Sequence, residues 1–204
     1  MRTQLFAGAL LAFACFPSLS ASQATPSEYA KLLAILLAGN TDVDYGRLRL
    51  SYMDSPEYKQ AKDTDKEDKT MGAELGAKNY ADALKDANKV LASNYVNMDA
   101  HFVAYVANRE LGAADKANFH QAVFHGLVDS IFKSGDGKSS EKAWVVITVH
   151  EEYVILRVLG YRPSGQSLQN KDGHAFDVMK VKKMDDGSEA TFYFNADIPM
   201  KHEI

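Results

Sequence analysis

Five consecutive residues, Gly135, Asp136, Gly137, Lys138 and Ser139, come near to a phosphate-binding loop. Such a loop reads GxxxxGK[ST], with a strand before it and a helix after, so that its backbone N–H groups cradle the phosphates. Ending the pattern at Gly137-Lys138-Ser139 puts its first glycine at position 132, where Phe132 stands. The flanks are also reversed, with a helical pattern before and the β-rich "KAWVVIT" after. The stretch is therefore expected to be structural: Gly135 a helix C-cap, Asp136-Gly137 a turn, and Ser139 to Lys142 a link. No motif in the chain implies a cofactor.

Two other groups of side chains have the types for chemistry. His101, His120 and His125 fall on adjacent helical patterns. Folding a hairpin about Gly112 to Ala114 brings position 101 opposite 124, so His101 and His125 would be neighbours with His120 a turn away. Three imidazoles suit Zn²⁺, but no HExxH or cysteine partner accompanies them, and buried, hydrogen-bonded histidines are expected instead. Further on, His150, Glu151, Glu152, His174 and Asp177 offer acid–base types. His150, Glu152, His174 and Asp177 are the catalytic candidates of a hydrolase reading, metal-assisted or not. No nucleophile elbow or paired-carboxylate spacing supports it, and Glu151 has a structural role as a helix-cap partner.

The elements that must position these residues divide the chain in two. "ATPSEYAKLLAILLAGN" predicts a helix with Thr25 as N-cap, Pro26 first, Glu28 closing a capping box and Gly39 ending it. Tyr29, Leu32, Leu33, Leu36 and Leu37 form its apolar stripe. "TDVDYGRLRLSYMDSP" adds a short helix with Tyr45, Leu48 and Tyr52 on one side, stopping before Pro56. Residues 57–70, "EYKQAKDTDKEDKT", alternate charges of both signs and read as a solvated helix face or loop. Three stronger helices follow in 79–94, 97–112 and 114–135, with Met98, Phe102, Tyr105 and Val106 as the stripe of the second. Tyr80, Phe102, Tyr105 and Phe124 read as core.

After Gly135 the period changes. "KAWVVIT" reads as a buried strand, and Thr148 with Glu151 as a capping box opening a helix that Gly160 ends, with strand the alternative for residues 150–159. "GQSLQ", "HAFDVMKVKKM" and "EATFYFNADIP" read as strands joined by the turns "NKDG" and "DDG". The alternation of Phe176, Val178, Lys180 and Lys182, and of Phe192 and Phe194, suits a sheet with one buried and one wet face. The fold class is thus α+β: antiparallel helical hairpins over 25–134, then a small, mostly antiparallel β-sheet with one helix over 135–204.

Residues 1–24 are set apart as a secretory signal peptide, from Arg2, the apolar run Leu5 to Phe16, and the small residues Ser18, Ser20, Ser22 and Ala24. The run is too short to span a bilayer. Ala12 and Phe13 depart from the pattern before a lipoprotein cysteine, so Cys15 is not expected to carry a lipid anchor. Cleavage leaves a chain without cysteine, which excludes disulfides and thiol catalysis. Losing Arg2 leaves 22 basic against 27 acidic residues, a net charge of −5 that disfavours nucleic acid as a partner. A periplasmic or secreted location is expected.

Two resemblances refine this picture. "YADAL" and "LGAADKA" resemble tetratricopeptide repeats over about one and a half repeats, which implies packed helical hairpins. "DYGRLRLSY", "NYVNMDAH", "GLVDSIFKSGDGKSSEKAWVVITVHEEYVILRVLG", "GQSL", "GHAFDVMKV" and "FYFNADIP" together resemble the bacterial domain-of-unknown-function family 4919, in family order. That resemblance implies a secreted bacterial protein of helical hairpins with a small α+β portion, and carries no activity or site residue. The sequence favours a non-catalytic module that binds a protein or peptide. The alternative is the envelope hydrolase built on the His, Glu and Asp residues named above.

Overall fold

The computed structural model describes residues 25–202. The expected signal peptide, residues 1–24, and Cys15 lie outside the described residues. Helix α1 runs Glu28–Leu37, and its cap is Ser27 in place of the expected Thr25. A capping oxygen must reach an N–H two or three residues on, and Ser27 Oγ accepts from Ala30 N at 3.0 Å while Pro26 stays outside the helix. Tyr29 and Leu36 are buried, Leu32 and Leu33 half-buried, and Leu37 exposed. Helix α2, Tyr45–Met53, is capped by Asp44 and buries Leu48, Arg49, Tyr52 and Met53. A single turn, α3, spans Pro56–Lys59.

The charge-rich segment resolves into the end of α3, a loop and the start of α4, Asp65–Gly76, whose opening turns are acidic as a helix N-terminus favours. Helices α5, Tyr80–Ser93, α6, Met98–Glu110, and α7, Ala114–Phe132, follow through short links. Consecutive helices pack side by side; nothing beyond that pairing identifies a tetratricopeptide repeat. Helix α6 buries Met98, Ala100, His101, Val103, Ala104, Ala107 and Asn108, not the aromatic stripe the sequence suggested. It is packed on both sides by α5 and α7, and small side chains let those backbones approach. Tyr80, Tyr105 and Phe124 are only half-buried, and Phe102 is 41% exposed. Phe124 packs against the larger core, and Phe102 lies on its ring from outside.

Strand β1 is only Trp144–Val145, so the "KAWVVIT" expectation is corrected. Ala143, Trp144, Val146 and Ile147 are buried as expected, but the Thr148 cap turns the chain into a helix before a ladder can extend. That helix, α8, spans Val149–Val158, with Thr148 Oγ accepting from Glu151 N at 3.3 Å and Gly160 left-handed after it. Strands β2, Tyr161–Lys171, β3, His174–Lys183, and β4, Glu189–Asn195, complete a sheet ordered β1-β4-β3-β2. β1 is parallel to β4 and the other pairs are antiparallel. β4 ends at Asn195, and "DIP" opens a short helix, α9, Asp197–His202. The face of β3 toward the helices carries Asp177, Met179 and Val181, in register with Phe194, Phe192 and Ala190; Phe176, Val178, Lys180 and Lys182 occupy the other face.

Two cores hold this together. The larger joins α1, α2, the start of α6 and α7 to α8 and the sheet through residues such as Leu36, Leu48, Met98, Leu127, Ile155, Met179 and Phe194. Each such side chain contributes about 1.5–3 kcal/mol on leaving water. The smaller lies within α4, α5 and α6 and is built largely of Met71, Ala83, Ala87, Val90, Val103 and Ala104.

Candidate functional site

The loop at 135–139 uses its own donors. Asp136 N and Gly137 N both donate to Lys142 O, at 3.1 and 2.8 Å, and Lys138 N donates to Asp136 Oδ1 at 3.0 Å. Gly135 O and Gly137 O accept from Trp144 Nε1 and Tyr193 N. N–H groups turned inward in this way are not presented to a phosphate. Gly135 is not the left-handed cap expected of it: a Cβ there would lie 2.3 Å from Lys142 O, so the residue is small because two backbones meet. Gly137 does have positive φ, +68°, and lies against the Trp144 ring.

The three hairpin histidines do not converge. His101 Nδ1 and His120 Nδ1 are 3.0 Å apart across α6 and α7, while His125 is exposed and its ring meets Phe124. His101 Nε2 lies 2.9 Å from Tyr95 O, a carbonyl, so Nε2 must carry the proton and donate. Nδ1 of His101 is then the acceptor and His120 Nδ1 the donor. Burial pushes both imidazoles down, His101 to about 3 and His120 to about 4, so both are neutral at physiological pH. Among the described residues no group of three or more His, Cys, Asp or Glu has the spacing of a metal site.

The opening turns of α4, α6 and α8 meet at a cleft of about 480 Å³, lined among others by Asp65, Asp68, Lys69, Asn97, Thr148 and His150. Asn97 caps α6 through Ala100 N at 2.8 Å, as Thr148 caps α8, so these polar side chains sit where the helices need acceptors. Asp99, on the first turn of α6, reaches across to α8. It accepts from His150 Nε2 at 2.9 Å and from Arg157 Nη2 at 2.5 and 2.6 Å. Burial alone would raise the Asp99 pKa, but these two donors outweigh it and hold the carboxyl below its usual range. The bond to Asp99 in turn holds His150 above its ordinary value against partial burial. Asp68 is shifted the other way: burial raises it, and hydrogen bonds from Asn97 and Thr64 only partly oppose that.

Glu151 also lines this cleft but faces inward to Arg49, which is 2% exposed. Arg49 grips both carboxylate oxygens, Nε at 2.9 Å and Nη2 more closely, and also donates to Ser130 Oγ and Val145 O. Ile147 N donates to Glu151 Oε2 at 2.8 Å. The buried charge is thus neutralised and its lone pairs occupied, as burial requires.

His174 lines a different cleft, of about 350 Å³, with Ser134, Ser140, Lys171 and Phe176. Its Nδ1 is 2.6 Å from Asp197 Oδ2, and Asp197 is fixed by Ala175 N and Asn195 Nδ2 at 2.8 and 3.2 Å. Glu152 is fully buried, and Asp177 is buried on the core-facing side of β3, opposite Leu168 and Phe194. The four acid–base candidates therefore fall in four settings. His150 and His174 each have a carboxylate that sequence reasoning did not pair with them, Asp99 and Asp197. An imidazole so oriented has the form of a general base, yet the hydroxyl beside His150, that of Thr148, is engaged as the α8 cap.

Of the residues missed from sequence, Arg49 left a signal. Tyr45, Leu48, Arg49 and Tyr52 follow the i, i+3, i+4, i+7 spacing of one helix face, and an arginine on an apolar face announces a buried partner. Asp99, Arg157 and Asp197 left none, because an exposed-looking charge reveals nothing about a neighbour far away in sequence.

A family model described as Domain of unknown function (DUF4919) matches residues 22–203. No curated protein and no solved structure matches the chain.

Proposed function

For this chain, which belongs to the DUF4919 family, we propose a non-catalytic role in the bacterial envelope: binding a protein or peptide in the cleft between α4–α6 and α8. The observation that carries this reading is the cleft itself. Three segments distant in sequence bring carboxylate, ammonium, amide, hydroxyl and imidazole groups to one concave surface, as a recognition site requires. Support against a catalytic role comes from the dispersal of His150, Glu152, His174 and Asp177. The secretory signature of residues 1–24 supports export to the periplasm or beyond.

A photo-crosslinking amino acid placed at Lys69, an exposed residue on the cleft wall, tests this in the producing bacterium. A partner should be captured from position 69 and not from Met184, exposed near the β3–β4 turn, and Asp65→Lys should abolish the capture. Equal capture from both positions sinks the proposal. So does turnover of a chromogenic ester or peptide that His150→Ala abolishes, which would establish the hydrolase instead.

A further inference from the structure

The α4–α6 layer has a core of its own; α6 packs on α7, and beside the cleft it meets α8 through one carboxylate, Asp99, gripped from α8 by His150 and Arg157. We propose that this contact is a proton-operated clasp: with His150 protonated the α4–α6 layer is held against α8 and the cleft is narrow, and with His150 neutral the layer loosens and the cleft widens. The inference rests on the binding role given above to the same cleft.

Geometry supplies the device. His150 and Arg157 lie on α8 and Asp99 on α6, so their attraction acts between two helices whose opening turns line the cleft. Arg157 grips the same carboxylate through Nη2, alongside the packing of α6 on α5 and α7. His150 is the part that can change. The charged and titratable groups around it are Asp99 on α6, Arg157 on α8 and Asp68 on α4, with Asp65, Lys69 and Glu151 also lining the cleft. Asp99 and Asp68 favour its proton and Arg157 opposes it, the balance lying above the ordinary histidine value.

The sign follows from linkage. A closed clasp binds the proton more tightly than an open one, in which His150 would return toward its ordinary pKa. Closing is therefore favoured in acid and loses that support as pH rises through the closed-state value. A ligand that needs the wide cleft would bind better in mild alkali, and one gripped by the narrow cleft better in mild acid.

The test needs no ligand, so its failure is distinct from failure of the binding role. The full chain carrying Cys15→Ser, Lys66→Cys and Val158→Cys is spin-labelled, and the distance between α4 and the end of α8 is measured by pulsed electron resonance at pH 5 and pH 8.5. One short distance at pH 5 and a second, longer population at pH 8.5 are expected. His150→Gln keeps a neutral donor for Asp99, so it should show the longer population at both pH values. An unchanged distribution in the parent, or a pH response that survives in His150→Gln, overturns the clasp.

Discussion

In the larger core, Arg49 and Glu151 are buried as opposite charges, with every hydrogen bond inside protein. Between α6 and α7, buried His101 and half-buried His120 form a neutral pair whose single shared proton and one carbonyl satisfy the facing nitrogens. The two regions thus meet the same penalty for buried polarity in different ways. Charges need complete surroundings, and the larger core supplies three elements around Arg49: α7, the β1 strand and α8. Neutral imidazoles need less, which suits a layer built from alanines and short links. The difference teaches where each region is vulnerable: the charged one to loss of a partner, the neutral one to acid.

The comparison breaks most visibly at the ion pair. Arg49→Ala leaves Glu151 buried and unpaired and should lower stability by about 3–5 kcal/mol in urea unfolding, whereas Arg49→Met with Glu151→Leu should recover most of it. A single variant that loses less than about 1 kcal/mol would show that Glu151 finds water or another partner.

Glycine substitutions sharpen the contrast in packing. Gly135→Ala and Gly137→Ala press a methyl into Lys142 O and the Trp144 ring, and each should lower stability by about 1–3 kcal/mol. Gly72→Ala in α4 meets nothing within 4 Å and should raise it by about 0.5–1 kcal/mol through helix propensity and a stiffer unfolded chain. Lys138→Ala, in an exposed turn, should stay within about 0.5 kcal/mol. Thermal melts rank all four.

Acid probes the neutral pair. Below the ordinary histidine value the unfolded chain takes up protons that folded His101, held down to about 3, refuses. Stability present above pH 6.5 should therefore fall with pH, by up to about 1.4 kcal/mol per unit from His101. Half-buried His120 adds less, since water screens it. His120→Gln, which keeps a donor for His101, should make the decline shallower without unfolding the chain. A chelator should leave the midpoint at neutral pH unchanged; a drop that His120→Gln abolishes would reveal a bound metal.

A small effect is expected at the α6–α8 contact. Arg157 is half-exposed, so Arg157→Ala should lower global stability by no more than about 1 kcal/mol. A loss as large as that of Arg49→Ala would make the contact a structural pillar and not a movable one.

Much of this layout was written in local patterns. Apolar spacing and punctuation by Gly39, Gly112 and Gly160 mark helix ends, and Asp172-Gly173 marks the β2–β3 turn with φ of +52° and +82°. Thr148 and Glu151 decided helix over strand for α8 because a cap is a contact three residues long. These signals are legible because each depends on neighbours in the chain. What the sequence determined by itself is therefore the α+β class, the order of most elements and the absence of a phosphate-loop motif. Tertiary structure alone decided that α6 buries alanines and His101 in place of Phe102, and that Asp99 meets His150 and Arg157. Those outcomes depend on which elements lie against one another, and a contact between positions 51 or 58 residues apart leaves no local period to read.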